Sequence, residues 1–515
     1  MKSHFFFITI LLLSLIMSSC ESSPAAPDTD DAEKQDKPTT AVNNPLPPQE
    51  KPDYSHLRPW KFSSEREVPT PAKFTVQVKG NTPPKKVMLY GVYAEQNYIA
   101  DSTTARPDGS VVFEKANGYL SGLYYVGMGD NLFLQVLLDQ DQTFEMETSK
   151  AAPLKDMKVK GNIDTELLYS AQAFDRELQP QFDVVNKRVK DAEFGSAEWK
   201  TAKAAQRALV DKRMSHIAKL AKKHPEAFYP QFKIAGQNPN FEPPYLPDGS
   251  IDQEKYAPMY RAKFWEGVDF GDVRLLRTPV FHNKLKRYMK ELTVKQADSL
   301  LASAKVVCQK ALAGHPEIFK HVVNWVAINY NEKAEIMGAE KVFVYVVQNY
   351  FTDQLGFWGS ISDLEKIRDK AIEMQLSLLG MTGQDVRAKD YKGEYHSIYG
   401  LNTDYTVLFI YSTECDHCKE ASPEMEKLHQ EWKDKNVGFF GICIDPDKEE
   451  FQKFVEKYNF SFVNVFDPKY ESQYYLKYHL DITPEIYILD PDHKIIAKNL
   501  QPKQVSDILE REMEE

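Results

Sequence analysis

Tyr411-Ser412-Thr413-Glu414-Cys415-Asp416-His417-Cys418-Lys419-Glu420 is the stretch that decides the fold. The run before it, Tyr405-Thr406-Val407-Leu408-Phe409-Ile410, is apolar and β-branched and reads as a buried strand. After it, Met425, Leu428 and Trp432 recur at helical spacing. A Cys-x-x-Cys between a strand and a helix puts the first thiol at the helix N-terminus, where free N–H groups and the helix dipole favour a thiolate. The second thiol lies one turn further in, within reach of a disulfide. Cys415, nearer solvent, is the expected attacking thiol, and Cys418 the one that resolves the mixed disulfide. Half of a zinc site is the other use of such a pair. Zinc takes four ligands, and although His417 and His429 are present there is no second Cys-x-x-Cys. No metal is expected.

Further out, Val437-Gly438-Phe439-Phe440-Gly441-Ile442-Cys443-Ile444 reads as a second strand ending at Asp445-Pro446. Helical segments follow near Glu449 to Tyr458 and Tyr470 to Tyr478. Then come Asp481-Ile482-Thr483-Pro484-Glu485, a strand from Ile486 to Leu489, a hairpin through Asp490 to Lys494 into Ile495-Ile496-Ala497, and a last helix from about Gln504. This order resembles the thioredoxin fold. The extra strand and helix between Val437 and Pro484 resemble its membrane-anchored, extracytoplasmic branch, the TlpA/ResA type. The resemblance implies that Thr483-Pro484 is the cis-proline loop that faces the dithiol and holds the substrate chain, with Glu414 beside it. It implies no cofactor beyond the Cys415–Cys418 disulfide itself.

The chain departs from that pattern in three places. Glu414 stands where the family has Trp. The two places where the family carries its proton-transferring acid are Phe409 and Ala421. Glu420, one position early, is the remaining candidate. His417 occupies the position that His holds in disulfide isomerases. As a cation or N–H donor it would stabilise the Cys415 thiolate and make the disulfide more oxidising. Glu414 and Asp416 would oppose it. The balance predicts a middling reduction potential.

The chain of 515 residues is too long for one core. The net charge of −11, with no basic stripe, argues against nucleic acid. Five cysteines, Cys20, Cys308, Cys415, Cys418 and Cys443, are too few for a disulfide scaffold. Cys308 and Cys443 fall on apolar patterns and read as packed thiols.

Residues 1–20 resemble a bacterial lipoprotein signal: Lys2, an apolar core from Phe5 to Met17, then Ser18-Ser19-Cys20. The resemblance implies lipidation at Cys20, a membrane anchor and a place in the cell envelope, periplasmic or on the outer membrane. Residues 21–65 are Pro-, Asp-, Ser- and Lys-rich and read as a disordered tether. Residues 66–162 carry short alternating strands, predicting a small antiparallel β-sandwich. They look like the β domain in front of thioredoxin-like lipoproteins of Bacteroidetes-type bacteria. Residues 163–379 are mainly helical. His224-Pro225-Glu226 and His315-Pro316-Glu317 read as two similar helix starts. The loop from Asn238 to Pro258, with Tyr260, Phe264 and Trp265 beyond it, would either line a peptide cleft or pin itself to the helices. Residues 380–515 form the thioredoxin-like domain, entered through a hairpin at Asp390 to His396.

The expected fold class is therefore multidomain: a small antiparallel β-sandwich, an α-helical domain and a C-terminal α/β thioredoxin fold. The expected function is a lipid-anchored, extracytoplasmic thiol–disulfide oxidoreductase, a reductase or isomerase of protein disulfides. Its partners would be disulfide or dithiol proteins and a membrane thiol electron donor. The competing reading is a non-catalytic periplasmic or surface lipoprotein whose β and helical domains capture a partner.

Overall fold

Alternation of apolar residues at Phe74, Val76 and Val78 builds the first strand, β1 (Ala72–Lys79), and buries each of them. The computed structural model describes residues 70–331 and 335–514. The signal segment, Cys20 and the tether lie outside the described residues. After β1 come β2 (Lys86–Tyr93), β3 (Gln96–Thr104), β4 (Val111–Lys115), β5 (Gly122–Gly127), β6 (Phe133–Leu138), β7 (Thr143–Ser149) and β8 (Lys158–Lys160). They form two sheets, ordered β4-β1-β7-β8 and β3-β2-β5-β6. The pairing is antiparallel except between β1 and β7, which run parallel from Lys73 opposite Thr143 to Lys79 opposite Ser149. Phe74 stacks on Phe113 and Phe144 at centroid distances of 5.2 and 4.8 Å and fills the core between them.

The sandwich passes into the helices through a fully bonded junction. Asn162 caps α1 (Ile163–Asp191) by accepting from the Thr165 N–H at 2.7 Å. Its amide donates back to the carbonyls of Leu137 and Asp141. The helical region continues with α2 (Ala197–Lys223), α3 (Phe228–Ala235), α4 (Gln253–Lys263), α5 (Pro279–Lys290), α6 (Ala297–Leu312), α7 (Pro316–Asn329), α8 (Glu340–Tyr350) and α9 (Ile361–Gln375). Among the described residues no helix is long and apolar enough to cross a membrane.

Of the two predicted His-Pro-Glu helix starts, one opens a helix. His315 caps α7 with Pro316 in its first turn, whereas His224 closes α2, its N–H donating to the Leu220 carbonyl. Helix α3 starts three residues past Pro225, at Phe228. The loop from Asn238 onward is pinned rather than open. Phe241 packs on Tyr256 and Tyr260 at 5.4 and 6.4 Å, and Phe264 and Trp265 are buried. Cys308 is fully buried on the Leu300, Ala304, Ala311 face of α6, and burial pushes its thiol well up.

The C-terminal unit contains β9 (Arg387–Lys389), β10 (Tyr395–Ser397), β11 (Tyr405–Tyr411), α10 (Asp416–Trp432), β12 (Val437–Cys443), α11 (Lys448–Lys457), β13 (Val463–Phe466), α12 (Tyr474–Lys477), β14 (Glu485–Leu489), β15 (Ile495–Ala497) and α13 (Val505–Glu514). They make one seven-stranded sheet, ordered β10-β9-β13-β12-β11-β14-β15, with β11, β12 and β13 parallel. Every residue of β12 is buried, as expected of a central strand covered on both faces. One face carries Phe409, Tyr411, Cys418, Met425 and Ile486; the other carries Leu408, Ile410, Phe440, Tyr487 and Leu489. Gly441 in β12 has a specific role. A Cβ there would sit 2.1 Å from Asn464 Oδ1, the atom that accepts from the buried Tyr411 hydroxyl at 3.0 Å.

Helices and thioredoxin unit meet at a buried ion pair. Lys498 Nζ lies 3.4 Å from Glu340 Oε1 of α8, both side chains being almost wholly buried, and donates to the Ser377 carbonyl at 3.1 Å. Removing one member of such a pair strands the other charge in a low dielectric. Lys498→Ala is therefore expected to destabilise this junction by about 3 kcal/mol, read as a lowered unfolding midpoint. Lys498→Met together with Glu340→Gln should recover most of the loss.

Candidate functional site

The end of β11 and the first turn of α10 converge on two sulfur atoms. Cys415 is the N-cap of α10, with φ −73° and ψ 122°, and its Sγ accepts from the Cys418 N–H at 3.3 Å. A sulfur thus takes the place that Ser, Thr or Asp oxygen fills at most helix starts. Cys415 is partly exposed; Cys418 is fully buried and belongs to the apolar core under the sheet. Both are free thiols, as are Cys308 and Cys443.

The two environments push the thiols in opposite directions. For Cys415, burial works against ionisation. It is outweighed by hydrogen bonds from the Cys418 thiol and N–H, with Thr483 and the His417 N–H adding to them, so Cys415 titrates below the ordinary thiol value. Cys418 is pushed up to about 12, by burial first and then by its thiol's bond to Cys415. The Ser412 N–H also reaches Cys418 Sγ, at 3.5 Å. Cys415 is therefore the more readily ionised of the two thiols, and Cys418 the one that holds its proton more tightly.

The Thr483–Pro484 peptide bond is cis, and the Cys415 thiol donates to the Thr483 carbonyl at 3.3 Å. Ile482, just before it, is strongly exposed. Glu414 is exposed at the rim. Its N–H donates to Ser412 Oγ and its carbonyl accepts from Lys419 Nζ.

His417 and Glu420 lie in the first two turns of α10. Their side chains are 84% and 79% exposed and face each other, Nδ1 to Oε2, at 3.6 Å. The His417 backbone N–H is among the groups that lower Cys415. Three residues apart on a helix, the two side chains share a solvent face. Asp416 is likewise occupied, paired with Lys419 at 3.0 Å, and that hydrogen bond holds its carboxyl below the usual range. Lys419 was missed in the sequence. Its ammonium is raised chiefly by Asp416, with the Cys415 sulfur a lesser contributor. Asp445 was missed as well, read only as the end of a strand; its carboxylate accepts from Ser412 Oγ at 3.0 Å and Thr413 Oγ1 at 2.8 Å.

Among the described residues, one group of side chains brings possible metal-ligand atoms together: Asp390, Glu394 and His396, on the β9–β10 turn. Asp390 Oδ1 is already used there, accepting from the Lys392 and Glu394 N–H groups. The dithiol and its neighbouring histidines form no such group among those residues.

A strand, a helix capped by the first Cys of a Cys-x-x-Cys, and a cis-proline facing it define a thioredoxin-like domain. Residues 367–498 match the AhpC/TSA family model. The thiol–disulfide oxidoreductase ResA of Halalkalibacterium halodurans is 30% identical over 79 residues, 15% of this chain and 45% of that protein. ResA of Geobacillus kaustophilus is 24% identical over 117 residues, 23% of this chain and 66% of that protein. The chain thus spans between about half and two thirds of the curated relatives it matches. Among solved structures, a thioredoxin-like protein from Bacteroides caccae covers 53% of this chain and 99% of its own at 15% identity, with a TM-score of 0.42. A thiol–disulfide oxidoreductase from Bacteroides fragilis covers 25% and 98% at 27% identity, with a TM-score of 0.24. The C-terminal domain has thiol–disulfide oxidoreductases of the ResA type as its homologues.

The thiol environments fix a labelling outcome. In the folded, reduced protein at pH 7, iodoacetamide should alkylate Cys415 first, with a rate whose pH midpoint lies below the ordinary thiol value of about 8.5. Cys418, Cys443 and Cys308 should react only on unfolding. Peptide mass spectrometry reads both, and equal labelling of Cys415 and Cys418 in the folded state would contradict the geometry.

Proposed function

We propose that this protein is a lipid-anchored, extracytoplasmic thiol–disulfide oxidoreductase that reduces or reshuffles disulfides of other proteins. The observation that carries the reading is the contrast between two sulfurs one helical turn apart. Cys415 is ionisable and partly exposed against the Thr483 carbonyl, whereas Cys418 is buried and protonated. The Cys415 thiolate attacks a substrate disulfide. A Cys415–substrate bond forms, the substrate S–S bond breaks, and the departing sulfur takes a proton from solvent. Cys418 then loses its proton and attacks Cys415 Sγ. The Cys415–Cys418 disulfide forms, and the second substrate thiol leaves. Two electrons pass to the substrate, and an external dithiol on the membrane side must return them.

The cis-Pro484 loop, with Thr483 and the exposed Ile482, supplies the surface against which a substrate backbone lies. Glu414 at the rim contributes to that contact. Glu420 and the His417 ring, turned to each other in solvent, take no part in proton transfer in this account. The anchor rests on the signal-like residues 1–20 and Cys20, and it places the dithiol in the cell envelope, where thiol exchange has substrates.

Insulin reduction by the purified protein with dithiothreitol tests the reading. Wild type should accelerate it, Cys415→Ser should bring it to background, and reduced Cys418→Ala, mixed with insulin after dithiothreitol is removed, should accumulate a mixed disulfide at Cys415. Wild-type protein that binds substrate without turnover would reject the enzyme in favour of a binding lipoprotein.

A further inference from the structure

The loop between β11 and Cys415 is held by one carboxylate that comes from a different strand. Asp445 lies just past the end of β12, where Cys443 pairs with Tyr411 at the end of β11. Its Oδ1 accepts from Ser412 Oγ at 3.0 Å, and its Oδ2 accepts from the Thr413 N–H and from Thr413 Oγ1, the latter at 2.8 Å. Ser412 Oγ in turn accepts from the Glu414 N–H at 3.2 Å. Asp445 therefore fixes two consecutive residues directly and a third through Ser412. Hydrogen bonds to an ionised acceptor are about twice as strong as neutral ones. The Cys443 thiol is the remaining neighbour of Oδ2, at 3.7 Å.

One of the two residues that Asp445 holds directly also touches the resolving sulfur: the Ser412 N–H points at Cys418 Sγ at 3.5 Å. We propose that Asp445 is a positioning residue for Cys418: by clamping Ser412 and Thr413 it keeps an N–H donor on the buried sulfur and so sets how readily Cys418 resolves the mixed disulfide. This deepens the oxidoreductase reading and rests on it. In the resolving step Cys418 gives its proton to solvent, its thiolate attacks Cys415 Sγ, the Cys415–substrate bond breaks, and the substrate sulfur leaves and takes up a proton. The Ser412 N–H stabilises the thiolate that this step requires. Thiolate fraction outweighs intrinsic nucleophilicity, since reactivity changes with only about half of a thiol's pKa change. Losing the donor therefore slows resolution. It also removes a bond made to the reduced form, so the disulfide becomes relatively more stable.

Asp445→Asn in the full chain tests this, because the amide keeps the size and replaces one acceptor by a donor that faces two donors. Two quantities are read: the rates of mixed-disulfide formation and decay by quenched flow, and the equilibrium of Cys415–Cys418 with glutathione by peptide mass spectrometry. The attack by Cys415 should stay within about twofold, and decay should slow about threefold. The equilibrium should move about tenfold toward the disulfide, about 30 mV more negative. Slowing of both steps by the same factor, or an unchanged glutathione equilibrium, overturns the proposal and leaves Asp445 a structural clamp. Should Asp445→Asn not fold, Ser412→Ala and Thr413→Val each delete one hydroxyl donor. Both should move the equilibrium about threefold in the same direction and slow decay about twofold, and no shift in either overturns the proposal. The glutathione equilibrium needs no protein substrate. A wild type inactive on insulin therefore sinks the enzymatic reading, while an unshifted Asp445→Asn sinks only this one.

Discussion

One hydrogen bond organises the C-terminal domain: the Cys418 N–H to the Cys415 sulfur, at the start of α10. It caps a helix whose first N–H groups would otherwise be unsatisfied, and it does so with the nucleophile itself. Capping and activation are thus the same contact. The cost falls on the second sulfur. Cys418 lies inside the apolar face formed by Phe409, Tyr411, Met425 and Ile486, where an unpaired thiolate is disfavoured. The difference in reactivity between two chemically identical side chains follows from where a helix begins relative to a sheet.

That arrangement requires the sheet to be rigid on both sides of β11. Tyr411, the last residue of the strand, is fully buried and bonded to Asn464, which Gly441 makes room for. Beyond the sheet, Lys498, just past the end of β15, ties the chain there to Glu340 of the helical region. Glu485, next to cis-Pro484, is buried and accepts from the Asn499 N–H at 2.8 Å. Burial pushes the Glu485 carboxyl up to about 7, with Lys498 pulling the other way. A raised carboxyl stabilises the fold while it is protonated. Its contribution is present below the ordinary carboxylate range and fades as pH rises through about 7. The helical region is thus packed against the segment that carries the cis-proline.

The sequence makes some of this legible and hides the rest for identifiable reasons. The apolar run into Cys-x-x-Cys and the helical spacing of Met425, Leu428 and Trp432 are local signals, and β11 and α10 lie where they point. Strand alternation marks β1 and β7 individually, but periodicity carries no information on pairing direction, so their parallel register does not follow from it. The mutual pairing of His417 and Glu420 was readable from their helical spacing. Asp445 carried no signal at all. It meets Ser412 and Thr413 only because β11 and β12 are neighbours, and a charged residue after a strand is ordinarily a turn.

Cys415 and Cys418 must close a reversible bond with each other and with no third cysteine. Peptide mapping after titration with one equivalent of a mild oxidant measures this directly. A single Cys415–Cys418 disulfide, fully reversed by dithiothreitol, with Cys308 and Cys443 still free, is the result predicted. A bridge from either site cysteine to Cys443, or a pair that stays reduced while other thiols oxidise, would contradict it.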